Sequence, residues 1–289
     1  TANMGVLQEN YREFYDSVAT LATYKVRDDN RQAAPKTDVT KPFVLYISGI
    51  DTYGDVGEVS RSDVNMLAVM NPAKRTMLLV NTPRDYYVQL HGVAGMPDKL
   101  THAGIYGIDM SRQTLGDLYG VEIPYYVRLN FTSLVKMVDV VGDITVNSDY
   151  AFHSFQVGKN TLDSKRTLEF ARERYSFSDG DRQRGRNQQK VIEAIVAKMS
   201  EPRNLTRYNA ILSTLQSSLQ TNMSQETIAS LIKMQLNDFK GWQVESMSVD
   251  GAGATRQTYS MGAMPLYVMI PDGASVERAK ERIGEYLQS

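Results

Sequence analysis

The chain of 289 residues contains no cysteine, which excludes thiolate catalysis, thiolate metal sites and disulfide bonds. Its 32 lysines and arginines nearly balance its 33 aspartates and glutamates, so no global field would hold it on nucleic acid or on an acidic membrane. No run of apolar residues approaches membrane-spanning length. Anion binding, if it occurs, must therefore be local.

Three catalytic signatures are also missing from the sequence. It has no Gly-x-Ser-x-Gly elbow, no His-Glu-x-x-His pair and no Gly-x-x-x-x-Gly-Lys-Ser/Thr loop. Histidine occurs only three times, and a lone histidine such as His102 is more often structural than catalytic. Serine hydrolases of the elbow type, zinc peptidases and P-loop NTPases are therefore disfavoured.

The first forty residues differ from the rest. Residues 5–26 place apolar side chains at helical spacing, and residues 28–38 form a polar, proline-containing linker. The start at Thr1 is neither a signal peptide nor an initiator methionine, so we expect a fragment of a longer protein. Residues 1–40 are predicted to be the remnant of an accessory module and its linker, and residues 41–289 the main domain.

From residue 43 the pattern predicts an α/β fold. Short apolar runs bounded by Gly, Pro and Asn indicate strands at 43–47, 64–70, 77–80, 125–131, 143–146 and 266–270. Helical periodicity indicates helices at 132–141, up to Arg172, across 191–199, through 205–232 and at 274–287. Interleaved strands and helices predict a mixed central β-sheet covered by helices on both faces, an α/β/α sandwich.

Carboxylates and arginines follow or precede the first three predicted strands. Asp51 follows the first strand through a glycine, Asp63 precedes the second, and Arg84 follows Pro83 after the third. Pairing of these strands would bring the three side chains to one edge, where α/β sheets place ligands. Arg61 stands beside Asp63, and each arginine could equally form a surface ion pair of little energetic value.

An arginine-dense segment from residue 169 to 190 supplies further cations. Arg172 and Arg174 can converge only if their helix ends near Arg172, and the Ser-Phe-Ser-Asp-Gly run after Tyr175 favours that end. Arg184 and Gln188 share one face at the start of the next helix, a geometry that suits an anion. A solvated charge run is the competing interpretation of this segment. Lys99 either reaches the same site or is exposed.

Together these residue types predict a metal-assisted pyrophosphate site. Arginine forks match pairs of phosphate oxygens, and aspartate offers the hard oxygen ligands that magnesium prefers. Phosphoryl transfer needs charge stabilisation rather than a protein nucleophile, so the attacking hydroxyl would come from the acceptor. Asp63 or Asp51 could act as the base, although a metal-bound carboxylate is a poor one.

Six separated motifs, in this order, resemble the LytR-CpsA-Psr family of Gram-positive bacteria. The resemblance is most specific over residues 43–200. The sequence around Lys99 and Tyr125 is most similar to that of the streptococcal capsule-type members. The motifs are Gly-Ile-Asp51, Arg61-Ser-Asp63, Thr-Pro-Arg84-Asp, Asp-Lys99-Leu-Thr-His-Ala-Gly, Arg172-Glu-Arg174 and Asp181-x-x-Arg184-x-x-x-Gln188-Gln.

The resemblance implies a membrane-anchored phosphotransferase at the extracellular face of the cytoplasmic membrane. Such an enzyme would move a glycopolymer, here capsular polysaccharide, from a polyprenyl pyrophosphate carrier to a peptidoglycan hydroxyl, with its membrane anchor outside this fragment. Carried over by position, Asp51 and Asp63 would hold magnesium, or manganese in its place. Asp63, Arg84, Arg172 and Arg174 would be catalytic. The pyrophosphate ligands would be Arg61, Arg84, Arg172, Arg174, Arg184 and Gln188.

Two positions depart from the family pattern. Asn187 stands where many members have arginine, so a phosphate contact is expected to be missing or replaced, and Gly142-Asp143 stands where many have Gly-Gly. Two other functions remain open from the sequence: a phosphatase or pyrophosphatase that uses water on the same lipid, and a protein that binds prenyl phosphates without turnover. An apolar channel beside the arginines is expected in each case, with helices 132–141 and 191–199 as candidate walls.

Overall fold

The computed structural model describes residues 38, 40–52, 56, 60–215 and 218–288. The predicted module at residues 1–40 lies almost wholly outside the described residues and stays a prediction. Within the described part, no helix is long and apolar enough to cross a membrane.

A six-stranded mixed sheet forms the centre of the fold, in the order β10-β3-β2-β1-β6-β9. Strands β1, β2 and β3 are antiparallel neighbours, β6 and β10 run parallel to β1 and β3, and β9 is antiparallel to β6. This confirms the predicted mixed sheet. The strands of this sheet are β1 (Phe43–Ile50), β2 (Val64–Asn71), β3 (Thr76–Thr82), β6 (Tyr125–Asn130), β9 (Gln220–Thr221) and β10 (Gln243–Ser248).

Among the described residues, three two-stranded ribbons lie outside the central sheet. They are β4 (Tyr87–Val88) with β5 (Asp98–Lys99), β7 (Ile144–Ser148) with β8 (Gly158–Leu162), and β11 (Gly251–Thr258) with β12 (Gly262–Pro271). The last strand was expected at 266–270, but pairing with β11 extends it to Gly262. The 251–258 strand was missed, because its sequence, GAGATRQT, has no apolar alternation.

Helices cover both faces of the sheet. They are α1 (Leu100–Ala103), α2 (Ile108–Tyr119), α3 (Phe131–Val141), α4 (Ser164–Arg172), α5 (Gly180–Met199), α6 (Pro202–Leu205), α7 (Tyr208–Leu215), α8 (Gln225–Asp238) and α9 (Gly273–Leu287), with a 3₁₀ turn at Gly104–Tyr106.

Three groups of buried apolar side chains hold these layers together. On one face, Tyr46, Leu67 and Leu78 pack with residues of α2 and α9. On the other face, Met66 and Leu79 pack with residues of α5. A third group joins α3, α4, α5 and the β7–β8 ribbon. The arrangement confirms the predicted sandwich, and it places α3, α4 and α5 beside the edge where β1 and β3 end.

Candidate phosphate-binding site

Two carboxylates meet at one edge of the central sheet. Asp51 follows β1 and Asp63 precedes β2, and the antiparallel register pairs Gly49 with Val64. The Asp63 amide donates to the Gly49 carbonyl at 2.8 Å, and the Asp51 amide lies 3.3 Å from Asp63 Oδ2. The predicted convergence of these two aspartates is therefore confirmed.

Gly49 is the residue that lets β1 and β2 come so close. A Cβ atom at this position would lie 2.7 Å from the Cβ of Val64, a separation that side chains do not tolerate. Any other residue would push β1 away from β2 and so separate Asp51 from Asp63. Close packing of β1 against β2 therefore explains why the Gly-Ile-Asp motif has a glycine at this position.

Arg84 joins this edge from the end of β3. Its Nη1 donates to Asp63 Oδ1 at 2.6 Å, and its buried Nε has no hydrogen-bond partner among the described residues. Burial alone would lower the pKa of Arg84, but the bond to Asp63 and the charges of Asp181 and Asp85 outweigh it and raise the pKa. The cation is held firmly and keeps donor capacity for a ligand.

Lys99 and Arg61 stand outside the cavity that the other predicted residues share. Lys99 Nζ lies 2.5 Å from Asp85 Oδ1, and Asp85 Oδ2 lies 3.9 Å from Arg84 Nε, so Lys99 is connected to the site through one carboxylate. Arg61 is exposed and does not line the cavity. Its predicted phosphate contact remains a prediction.

Arg172 and Arg174 converge because α4 ends where the sequence predicts. Helix α4 stops at Arg172, and Glu173 is already extended. The Arg172 guanidinium lies 4.4 Å from the centre of the Phe131 ring and 3.7 Å from Asp51 Oδ1. Arg174 lies over the ring of Tyr175 at 4.7 Å and donates to its hydroxyl at 2.6 Å. Both arginines line the same cavity.

Glu173, between the two arginines, points elsewhere. It accepts from the Ser176 amide at 2.8 Å and contacts His153 Nε2 at 2.7 Å. Burial would raise the pKa of Glu173, but the bonds from His153 and Ser176 lower it overall, and Glu173 raises the pKa of His153. These contacts, which lie outside the cavity lining, fix the backbone between the two arginines.

Arg184 and Gln188 complete the charged part from α5. Because α5 begins at Gly180, they occupy its second and third turns, farther from the helix start than the sequence indicated. Arg184 is 8% exposed and pairs with Asp181. Its pKa is lowered, first by burial and then by repulsion from Arg84 and Arg174, which outweigh the attraction of Asp181. Repulsion between the buried Arg184 and its partly buried neighbours Arg84 and Arg174 favours an anion between them.

Asn187, the departure from the family pattern, does not face this cluster. It is fully buried, donates to the Phe170 carbonyl at 3.2 Å and accepts from Gln183 at 2.9 Å. Its side chain therefore joins α5 to α4. The second departure leaves its turn intact, since Gly142 takes a positive φ of 91° after α3.

These side chains surround one cavity of about 270 Å³, here called the donor cavity. Its charged part contains four arginines and two aspartates, and its inner walls are apolar. The charged and amide residues are Asp51, Asp63, Arg84, Arg172, Arg174, Arg184 and Gln188. The apolar walls include Ile47, Val64, Met66, Leu129, Phe131, Leu134, Val191 and Ile192, from the sheet, α3 and α5. The expected apolar space beside the arginines is therefore present.

Sequence reasoning missed two residues of the donor cavity. Asn130 caps α3, accepting from the Ser133 amide at 3.0 Å, and Phe131 supports Arg172. The signal for Asn130 was its place just before an apolar helix. Nothing in the sequence marked Phe131, because its role depends on the distant arginine.

The described residues contain no group of three or more His, Asp or Glu side chains able to hold a metal ion. Asp51 and Asp63 nevertheless form an all-oxygen donor pair in the cavity that the four arginines line, which is the donor chemistry magnesium prefers. A metal at this edge would thus take the remainder of its ligands from substrate and water.

The fold and site together define an α/β/α domain with a cationic, partly apolar cavity at the edge of its sheet. The sequence model of the LytR_cpsA_psr family matches residues 11–280, and the chain belongs to that family.

Named relatives agree with this membership. The chain is 31% identical over 267 residues to the polyisoprenyl-teichoic acid–peptidoglycan teichoic acid transferase TagU of Enterococcus faecalis, covering 90% of this chain and 82% of TagU. It is 31% identical over 234 residues to TagU of Bacillus cereus, covering 78% and 75%. The crystal structure of B. subtilis TagV superposes with a TM-score of 0.71 at 25% identity, covering 86% of this chain and 98% of TagV.

Proposed function

We propose that this chain is a phosphotransferase that moves a glycopolymer from a polyprenyl pyrophosphate carrier to peptidoglycan, outside the cytoplasmic membrane. The observation that carries the proposal is the donor cavity, whose surplus of arginines opens directly onto apolar walls. A pyrophosphate joined to a prenyl chain needs both environments in one place. The names of the TagU relatives support the same reaction.

In the proposed reaction, the arginines bind and orient the pyrophosphate. Arg84, Arg172 and Arg174 donate to its oxygens and stabilise the charge that spreads over them in the transition state. Arg184 adds charge from the buried side. Gln188 contributes an amide donor, although its Nε2 also lies 3.3 Å from the Ala171 carbonyl. No protein nucleophile is required.

The apolar walls would bind the prenyl chain. Burying each methylene-sized unit contributes about 0.8 kcal/mol, so a few isoprene units would supply more affinity than the charged contacts. Val191 and Ile192 of α5 face strand residues Val64 and Met66 across this space. These side chains belong to the hydrophobic core and also line the cavity, and an apolar wall next to the arginines supports a lipid ligand.

We further propose that Asp51 and Asp63 hold magnesium, or manganese, together with phosphate oxygens. Bound there, the ion would supply positive charge to the phosphoryl oxygens. Asp63 also positions Arg84 through the 2.6 Å ion pair. The specific polymer is proposed to be capsular polysaccharide, on the likeness to capsule-type sequences. The TagU relatives are named for teichoic acid, so both polymers belong in the test.

The test is an assay with purified lipid-linked polymer and uncross-linked peptidoglycan glycan strands. We expect polymer joined to glycan, with prenyl phosphate released. Prenyl phosphate released equally without glycan would identify a hydrolase, and tight binding without turnover would identify a carrier protein. Capsular and teichoic acid donors, assayed side by side, decide the polymer.

The same assay tests the metal and the lipid. Excess chelator and Asp63→Ala should each abolish transfer, while the far-ultraviolet spectrum of the variant stays native; full activity in chelator contradicts the metal. Protein purified from bacteria should release prenyl phosphate into organic solvent. If it releases none, and prenyl pyrophosphate binds no better than inorganic pyrophosphate, the lipid carrier is wrong.

A further inference from the structure

A second cavity lies against the donor cavity and shares four residues with it. It measures about 170 Å³, and the shared residues are Asp63, Arg84, Arg184 and Gln188. We propose that this second cavity, here called the acceptor cavity, binds an uncharged, polyhydroxylated glycan and delivers its hydroxyl to the phosphorus. The proposal rests on the proposed function and adds the place from which the second substrate arrives.

The position of the acceptor cavity carries the first step. The strand residues of the donor cavity belong to β1, β2 and β6, whereas Asn81, Thr82 and Ser248 of the acceptor cavity stand at the ends of β3 and β10. In the sheet order β10-β3-β2-β1-β6, these sets lie on neighbouring parts of the sheet, and the shared residues Asp63 and Arg84 stand next to β2 and β3, where the two parts meet. The two cavities therefore approach one phosphate-binding cluster from two sides.

Phosphoryl transfer needs this arrangement. The attacking and leaving oxygens lie roughly in line through the phosphorus. If the prenyl phosphate leaves into the apolar donor cavity, the attacking hydroxyl must enter from the opposite flank. The oxygen that joins the polymer to this phosphorus then takes an equatorial position in the transition state. The polymer therefore extends to the side and does not compete for the acceptor cavity.

Charge distinguishes the ligands of the two cavities. The donor cavity has four arginines and two aspartates, but the acceptor cavity has four of each. Every arginine of the acceptor cavity is paired: Arg182 with Asp250 at 2.8 Å, Arg84 with Asp63 at 2.6 Å, and Arg184 and Arg186 with Asp181 and Asp179. A cavity without surplus charge does not select an anion.

Paired charges still suit a ligand rich in hydroxyl groups. A hydroxyl both donates and accepts, so it can bind between a guanidinium and a carboxylate. Asp179 lines the acceptor cavity, and its buried Oδ1 accepts no hydrogen bond from any described residue. An unpaired buried acceptor costs free energy, and a hydroxyl donor from the ligand would remove that cost. Apolar side chains contribute little to the lining, which disfavours a second lipid.

The step balances without a further reactant. The glycan oxygen forms a bond to the phosphorus that carries the polymer, and the bond from that phosphorus to the prenyl phosphate breaks. The hydroxyl proton ends on the prenyl phosphate that leaves. The products are one phosphodiester and one prenyl phosphate.

Two variants test the acceptor cavity. Arg182→Gln removes a guanidinium that is 42% exposed and does not line the donor cavity. Ser248→Tyr fills the cavity from its exposed edge. Each should raise the KM for soluble glycan strands about tenfold, Arg182→Gln through the loss of one hydrogen bond to a charged group and Ser248→Tyr through the loss of space, while the KM for the lipid donor stays unchanged.

Ser246→Tyr is the matched control. Ser246 precedes Ser248 by two residues on β10, so both side chains point to the same face, but Ser246 does not line the acceptor cavity. The control should leave both KM values unchanged. An unchanged glycan KM in Arg182→Gln and Ser248→Tyr overturns the acceptor cavity while leaving the transferase intact. A raised donor KM instead would assign the cavity to the donor's polymer. Absence of transfer by the parent protein would reject the proposed function itself.

Discussion

Three of the four arginines that line the donor cavity are held by different kinds of contact, and the fourth, Arg184, pairs with a carboxylate as Arg84 does. Arg84 pairs with a carboxylate, that of Asp63. Arg172 lies over the ring of Phe131 and, at a longer distance, near the Asp51 carboxylate. Arg174 contacts the hydroxyl and the ring of its neighbour Tyr175. Tyr175 is itself 85% exposed. Arg174 is therefore held by an exposed neighbour, and ligand binding should reorganise it.

Replacing Arg174 by lysine tests whether the fork, rather than the charge, binds phosphate. Arg174→Lys keeps the charge and loses bidentate geometry, so we expect binding of prenyl pyrophosphate to weaken by about 1.5 to 3 kcal/mol. Isothermal titration of the purified protein measures the change.

Arg166→Lys serves as the control for that measurement. Arg166 lies on α4, eight residues before Arg174, but it donates to the Thr161 carbonyl at 2.7 Å, lies over Phe155 and does not line the donor cavity. It should bind the ligand as the parent does. If Arg174→Lys binds equally well, fork recognition at residue 174 is wrong.

At the scale of elements, the short helix α4 places the arginine pair. Asp163 caps it by accepting from the Arg166 amide at 2.7 Å, and the helix ends at Arg172. Asp163→Ala should cost about 1 kcal/mol of stability, as loss of an N-cap does. For a domain of this size, the Tm should fall by roughly 2–4 °C.

The variant Asp163→Asn distinguishes the contribution of the N-cap hydrogen bond from that of the negative charge at the start of the helix. Asparagine keeps an acceptor oxygen for the Arg166 amide and loses only the negative charge at the helix start. Scanning calorimetry should therefore show most of the parent Tm. A fall as large as that of Asp163→Ala would mean that the cap bond contributes little.

The elements that carry the site were the ones the sequence predicted best. The runs around Val44, Leu67 and Leu79 are apolar and β-branched enough to mark β1, β2 and β3, and Asp163 marked the start of α4. By contrast, β10 reads QVESMS, a half-exposed edge strand with little apolar pattern, and it went unrecognised. Its place beside β3 depends on pairing between residues more than 150 positions apart.

The same division applies to the site. Asp51, Asp63 and Arg84 could be joined from strand order alone, because antiparallel neighbours return to one edge. The acceptor cavity could not be foreseen, since it needs β10 and the hairpin strand β12 to bring Ser248 and Met269 beside α5. Long-range pairing of weakly patterned strands leaves no local signal.

At the scale of the whole molecule, the last helix, α9, packs on the hydrophobic core that the first three strands form on one face of the sheet. Val276, Ala279 and Ile283 of α9 are buried against the face that contains Tyr46 and Leu67. Deleting residues 273–289 should remove about 5 kcal/mol of the stabilising free energy that apolar burial contributes. This loss is comparable to the whole free energy of unfolding of a domain.

Urea unfolding measures this effect. The shortened chain should lose its cooperative transition, whereas removal of Gln288 and Ser289 alone should preserve it. A cooperative transition in the chain without α9 would show that the sheet and its other helical layer form an independent unit.

The unequal charge of the two cavities has a consequence for ionic strength. Salt weakens attraction between separated charges, with a screening length of about 8 Å under physiological conditions. The donor cavity holds four arginines against two aspartates and draws in a dianion, whereas the acceptor cavity is balanced. Added salt should therefore weaken the binding of the lipid donor and leave the binding of the glycan almost unchanged. The affinities for the two proposed substrates would then respond differently to the ionic strength of the cell wall.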